Sequence, residues 1–412
     1  MTQTPGPRMA RSPMIKFVLL GLVLVSMTIS SGANAQTLRQ AVEGAWALDP
    51  QIKAFEARRN EFIARREAAG ALFPAPPAIT LSHATDQLIQ NKRQRVTEGE
   101  LSTPLWLPGE GTATERVAQA DLVRTDAQLA LARLTVAGAV RDAVYKYALA
   151  KREAEIADRR VENARALESD VGRRVRAGDV AALEHDLAES ELLAARATAR
   201  EQQALLAAAR TTLLSLTGLQ TPPSYDQEPL APTTDIARHP RLQAAERSID
   251  AAQATLRLAG IATRDSPEIG VFLGRNRDVR GDEYDATVGL RLRIPFATEA
   301  RNAPRRAAAL AEVTAAQAEY AAAEREIRVE LSNAQQALAA TEAQTSLLEG
   351  RVRAVQSTLA RLQRSYNAGE IGLLEVLRAR VSLFEAEIAR ARNRLDIGAA
   401  RARVNQALGI VP

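Results

Sequence analysis

Two short stretches decide the fold: Arg176-Ala-Gly-Asp179 and Asn367-Ala-Gly-Glu370. Their glycines stand 191 residues apart. Other landmarks recur at that spacing. Leu101-Ser-Thr-Pro-Leu105 returns as Leu292-Arg-Ile-Pro-Phe296, and Leu216-Thr-Gly-Leu219 as Ala407-Leu-Gly-Ile410. Asp49-Pro50 returns as His239-Pro240, offset by 190. Landmarks in one order at one spacing mean a tandem duplication. The repeats are placed at 36–219 and 235–412, joined by a connector at 220–234 that is rich in proline from Thr221 to Pro232.

Each repeat predicts the same element order. A medium helix comes first, at 37–72 and 235–263. Two short strands follow. In the second repeat Ile269, Val271 and Leu273 alternate, then Ala286, Val288, Leu290, Leu292 and Ile294. In the first they are fainter: Ile79 and Leu81, then Val96 to Leu101, with Pro104 and Pro295 closing the two hairpins. Next come 111–176 and 302–367, free of proline except Pro304 in a first turn, where proline is tolerated. Each is 66 residues, about 100 Å of helix at ~1.5 Å per residue. Gly178 and Gly369 end these helices, and returning helices follow at 180–216 and 371–408.

Composition agrees. Of 412 residues, 46% are hydrophobic but only 4% aromatic, which suits long helices with thin seams rather than a sandwich or a large α/β enzyme. Leu122, Leu129, Val136, Val140 and Val144 form such a seam among many alanines. With no cysteine, disulfides, thiolate metal sites and lipidation on cysteine are excluded. Residues 1–35 read as a secretory signal: Arg8, Arg11 and Lys16, an apolar run from Phe17 to Ile29, then Ala33-Asn-Ala35. The run is shorter than the ~20 residues a membrane-spanning helix needs. Cleavage removes three cations and no anion, leaving 51 against 49, so a nucleic-acid reading loses its support.

A 100 Å helix must pack along other long helices. A cytoskeletal or adaptor rod would satisfy that, but not the paired hairpins, which are marginal alone in water. Four strands of about ten residues suit a tilted transmembrane strand. Four cannot close a barrel, and lipid does not tolerate open edges. Three subunits would supply twelve strands, within the range of outer-membrane barrels. The expected fold is therefore mainly α with a small β part: a long helical barrel plus a transmembrane β-barrel completed by trimerisation.

With these features the chain resembles the TolC-like outer-membrane efflux proteins over essentially its whole mature length. Leu101-Ser-Thr-Pro-Leu-Trp-Leu-Pro-Gly109 is similar to the CzcC-like heavy-metal branch. The resemblance implies a homotrimer in outer-membrane lipid, its helical tunnel in the periplasm. It implies a passive exit channel without catalytic residues, metal site or cofactor, working with a periplasmic adaptor and an inner-membrane RND-type transporter. Divalent heavy-metal cations are the expected cargo; drugs, type I protein secretion, or a periplasmic coiled-coil adaptor are the alternatives. Many relatives carry a lipidated N-terminal cysteine, which is missing here.

The resemblance also marks sites. The turns at Arg176, Ala177, Gly178 and Asp179 and at Asn367, Ala368, Gly369 and Glu370 match the tips that dock the adaptor; helix capping alone would also use these glycines. Six residues beyond each glycine stand Glu184 and Glu375. Tyr366 and Glu375 match a channel constriction. The family's next acidic ring falls on Arg378, i+3 from Glu375 and so on the same helix face. An ordinary solvated face is the alternative. His83, His185 and His239 are too scattered to bind a metal. Trp106 is placed at the inner membrane–water boundary, where tryptophan is enriched. A secreted enzyme has no nucleophile–base pair or phosphate loop to support it.

Overall fold

The computed structural model describes residues 37–89, 94–225, 227–232, 235–279 and 281–412. The signal segment lies outside the described residues. The first repeat runs α1 (Leu38–Leu48), α2 (Pro50–Ala69), β1 (Ala78–Thr85), β2 (Arg95–Pro104), α3 (Glu110–Ala177) and α4 (Ala182–Thr217). The second runs through a short 3-10 turn (Ile236–Arg238) into α5 (Pro240–Ile261), β3 (Glu268–Arg277), β4 (Asp285–Arg293), α6 (Glu299–Asn367) and α7 (Leu373–Ala407).

The medium helices differ from expectation. Residues 37–72 are not one helix but two, broken at Asp49-Pro50. Proline has no N–H to donate and fits the first helical position. Asp49 Oδ1 accepts from Gln51 N–H (2.8 Å) and Ile52 N–H (3.0 Å), starting α2. His239-Pro240 does the same, with Arg241 N–H donating to His239 Nδ1 (3.0 Å). The recurring X-Pro pair is thus a helix start, and α5 begins at Pro240 rather than at 235. β2 is also longer than expected, running on through Ser102, Thr103 and Pro104, which supply no apolar alternation to read.

The two hairpins join. The order is β1-β2-β3-β4, all antiparallel, with β2 and β3 paired from Arg95 opposite Arg277 to Pro104 opposite Glu268. Register separates the faces, because directly paired residues share a side. One face carries Ile79, Leu81, Leu101, Ile269, Val271, Leu273, Val288, Leu290 and Leu292. All nine are 41–80% exposed, so nothing among the described residues covers them. The other face carries Glu98, Glu100, Glu268 and Asp285 with Arg291 and Arg293. Arg291 pairs with both Glu98 (2.6 Å) and Glu100. Among the described residues the outer edges of β1 and β4 have no partner strand.

Helix packing is equally lopsided. α3 packs on α2, α4, α5 and α7 and buries 21 residues, including Leu122, Leu129, Val140 and Val144 of the seam. α6, one residue longer, packs on α5 and α7 and buries nine. α5 touches both long helices, whereas its repeat counterpart α2 packs on α3 and leaves its other flank open. Among the described residues no helix is long and apolar enough to cross a membrane.

The connector is clamped where the repeats meet. Arg141 on α3, 6% exposed, gives Nε and Nη2 to the two Glu228 carboxylate oxygens at 2.8 and 2.7 Å. Its Nη1 donates to Gln406 Oε1 (2.6 Å) and Ile410 O (3.0 Å). Asn405 holds the connector from α7, accepting from Ala231 N–H (3.0 Å) and donating to Pro229 O (3.1 Å). Removing one partner of a buried pair strands the other's charge, at a cost of about 3 kcal/mol or more. Arg141→Ala is therefore expected to loosen residues 221–232, read as faster proteinase K cleavage there. The double variant Arg141→Met/Glu228→Gln, which leaves no stranded charge, should cleave more slowly than Arg141→Ala.

Candidate functional site

The ends of the long hairpins are built by capping. Gly178 and Gly369 hold φ of +83° and +77°, which side-chain-bearing residues rarely adopt. Asp179 N–H returns to Arg174 O (2.9 Å) and Glu370 N–H to Ser365 O (2.9 Å). All eight tip residues, 176–179 and 367–370, are exposed. They sit side by side because the two hairpins share one apolar cluster. Leu167, Val171 and Ala188 from the first meet Tyr366, Leu373, Val376 and Leu377 from the second.

Tyr366 is the joint between the two hairpins. Its ring is 3% exposed. Its hydroxyl donates to Glu184 Oε2 of the first hairpin (2.7 Å), and the Arg174 guanidinium lies 4.9 Å from the ring centre. Glu184 is thus spent on an internal bond. Its repeat counterpart Glu375 is exposed and pairs with Arg378 (2.9 Å), the i,i+3 contact expected. Sequence reasoning missed Arg174 and the Tyr366–Glu184 bond. The available signal was asymmetry: Tyr366 stands where the first repeat has Val175.

Above the tips, a cavity of about 220 Å³ opens between the hairpins, lined by Arg159, Arg160, Leu359, Arg380 and Phe384 among others. Arg160 pairs with Glu191 (2.9 Å) across its wall. The histidines stay apart. His83 Nδ1 bonds Thr97 Oγ1 (2.9 Å), His185 lies 3.8 Å from Glu168, and His239 caps α5. Burial, then Arg241, pushes the His239 pKa down, which keeps Nδ1 free to accept. Among the described residues no three His, Asp or Glu could together hold a metal ion. Trp106 Nε1 donates to Ala71 O (3.0 Å), tying the exit of β2 to the end of α2.

This geometry has known counterparts. Residues 232–410 match the family described as outer membrane efflux protein. The family matches the second repeat, 179 of the chain's 412 residues. Its members are channels, not enzymes. No curated protein sequence matches the chain. Among solved structures, the channel protein CusC is 18% identical with a TM-score of 0.74, covering 91% of this chain and 92% of its own. The Campylobacter jejuni CmeC outer membrane channel is 16% identical, with a TM-score of 0.74 over 90% and 85%. The outer-membrane channel OprN is 20% identical, with a TM-score of 0.71 over 90% and 89%. At these identities the likeness shows a common fold: long helical hairpins with a four-stranded sheet.

Tyr366→Phe deletes a hydrogen bond to a charged acceptor, worth about 1.5–3 kcal/mol. It is expected to speed amide exchange in 359–377 and 167–188 together. Burial, then Glu184, raises the Tyr366 pKa from 10.0 to about 12. A raised folded pKa means the contribution is full below pH 10 and lost as pH rises through about 12. Protection of the tip amides, taken relative to the intrinsic base-catalysed exchange rate, should therefore fall across that window in the wild type more than in Tyr366→Phe.

Proposed function

We propose that this chain is the outer-membrane exit duct of a tripartite efflux system, working as a homotrimer. The observation that carries the reading is the four-stranded sheet: one face with nine exposed apolar residues, the other charged, and both edges unpaired among the described residues. In hydrocarbon an unpaired edge leaves N–H and C=O groups without partners. Three sheets joined β4 to β1 give a closed twelve-stranded barrel with apolar residues outside. The open flanks of α2 and α6 are the helical side of the same contact, α2 of one subunit taking against α6 of the next the place α5 takes within the chain.

The tips at 176–179 and 367–370 dock a periplasmic adaptor, which links the duct to an inner-membrane RND-type transporter. Glu375 and Arg378 form the constriction, with Tyr366 holding their hairpin to its neighbour. Divalent heavy-metal cations are the proposed cargo. The CzcC-like segment Leu101–Gly109 supports this, and so does the sheet's charged face. Its strands carry four carboxylates against two guanidinium groups, so three copies would line the lumen with net negative charge.

Purified protein is expected to be a detergent-requiring trimer that forms cation-selective pores in planar bilayers. A monomer soluble without detergent overturns the reading. Leu290→Arg, a cation on the apolar face, should cost about 2–4 kcal/mol at mid-membrane and block outer-membrane insertion. At the tip, exposed Glu375–Arg378 pairs are worth about 0–1 kcal/mol each, so an adaptor can displace them. Arg378→Glu places like charges around the axis and should raise single-channel conductance and vancomycin sensitivity. If neither moves, the pair does not gate. Loss of tolerance to cobalt, zinc or cadmium on gene deletion, with tolerance to organic toxins kept, would match the cargo.

A further inference from the structure

The apolar face of the sheet ends in a basic cluster that the duct reading leaves unexplained. Along that face β3 reads Ile269, Val271, Leu273 and then Arg275 and Arg277. Arg95 of β2 lies directly opposite Arg277, and Thr97 opposite Arg275. Like charges directly opposed across strands are destabilising unless something neutralises them. Nothing in the chain does so. The strand ion pairs go to Arg291 and Arg293 on the other face. Among the described residues none of the three arginines has a carboxylate within ion-pair distance, and Arg277 Nε is buried without any hydrogen-bond partner. The ring of Tyr284 lies 4.1 Å from the Arg275 guanidinium and 4.9 Å from that of Arg277, holding two cations together rather than letting them diverge.

The position is specific. These residues are at the hairpin-turn end of the sheet, opposite the end where α2, α3, α5 and α6 attach. On the proposed topology, on which this inference rests, that end borders the outer leaflet. The face is the one turned to lipid, so the cluster meets headgroups and not the lumen. Guanidinium groups bind phosphate bidentately.

We propose that Arg95, Arg275 and Arg277, braced by Tyr284, form a binding site for the phosphate groups of an anionic outer-leaflet lipid, one site per subunit. The lipid supplies the missing counter-charge, and its acyl chains lie along Leu273, Val271 and Leu81 below. Bound lipid also bridges the hairpins of the two repeats, since Arg95 belongs to the first and Arg275 and Arg277 to the second.

The test uses full-length trimer reconstituted in phosphatidylcholine vesicles doped with diphosphoryl lipid A, and in undoped vesicles. The doped lipid is expected to raise the temperature of trimer dissociation, with an effect that weakens as salt is added. The variant Arg95→Gln/Arg275→Gln/Arg277→Gln should lose roughly 100-fold in apparent affinity for the doped lipid, about fivefold per arginine. The all-lysine variant, which keeps charge but not the planar fork, should fall between the two. Single-channel conductance of each variant checks folding and separates this proposal from the duct reading. Pores that conduct normally but respond equally to doped and undoped vesicles overturn the lipid site alone. So does stabilisation of the same size by inorganic phosphate, or a glutamine variant that responds like the wild type. Failure to form pores at all overturns both.

Discussion

A sheet of four strands with two bare edges, one greasy face and one charged face cannot be a finished object. In water the apolar face would be exposed, and in lipid the edges would be. Only a ring of copies removes both faults, and the rest of the chain is arranged around that demand. The hairpins leave a common plane, so four helices run from one end of the sheet. Their length is set by the span to be crossed, because a helix gains 1.5 Å per residue whatever it packs against.

Duplication makes the ring economical, and departures from it carry function. Two similar hairpins per chain turn a threefold ring into a near-sixfold wall. Glu100 and Arg291 occupy equivalent positions 191 residues apart, yet pair across the sheet because one repeat holds the acid and the other the base. At the tips, Val175 faces a tyrosine counterpart, and Leu187 an arginine counterpart, Arg378. The first hairpin has apolar side chains at both of these positions. The second carries the polar joint at Tyr366 and the exposed charges at Glu375 and Arg378.

Periodicity and punctuation made most of the fold legible. The glycine turns, both long helices and the second-repeat strands follow from spacing alone. The breaks that were misplaced share a cause. Asp49-Pro50 serves as a landmark of the repeat, but the helix start it marks, a cap followed by proline, is a local signal that a single helix over 37–72 passes over. β2 runs past its expected end because Ser102, Thr103 and Pro104 continue the ladder without apolar alternation. Of the candidate site, the turns were legible because glycine reports φ directly. The Tyr366–Glu184 bond was not, since it joins residues 182 apart on different helices and only packing brings them together.

The two sheet faces also divide the electrostatic work of the chain. On the proposed barrel, Glu98, Glu100, Glu268 and Asp285 face the lumen, and Arg95, Arg275 and Arg277 face the lipid. Strand alternation makes this possible at no structural cost, because neighbouring residues take opposite sides. The inward excess favours cations along the path, while the helical tip, where Glu375 is neutralised by Arg378, adds no strong charge of its own. A duct needs that balance: enough negative charge to admit a cation, and no site deep enough to keep it.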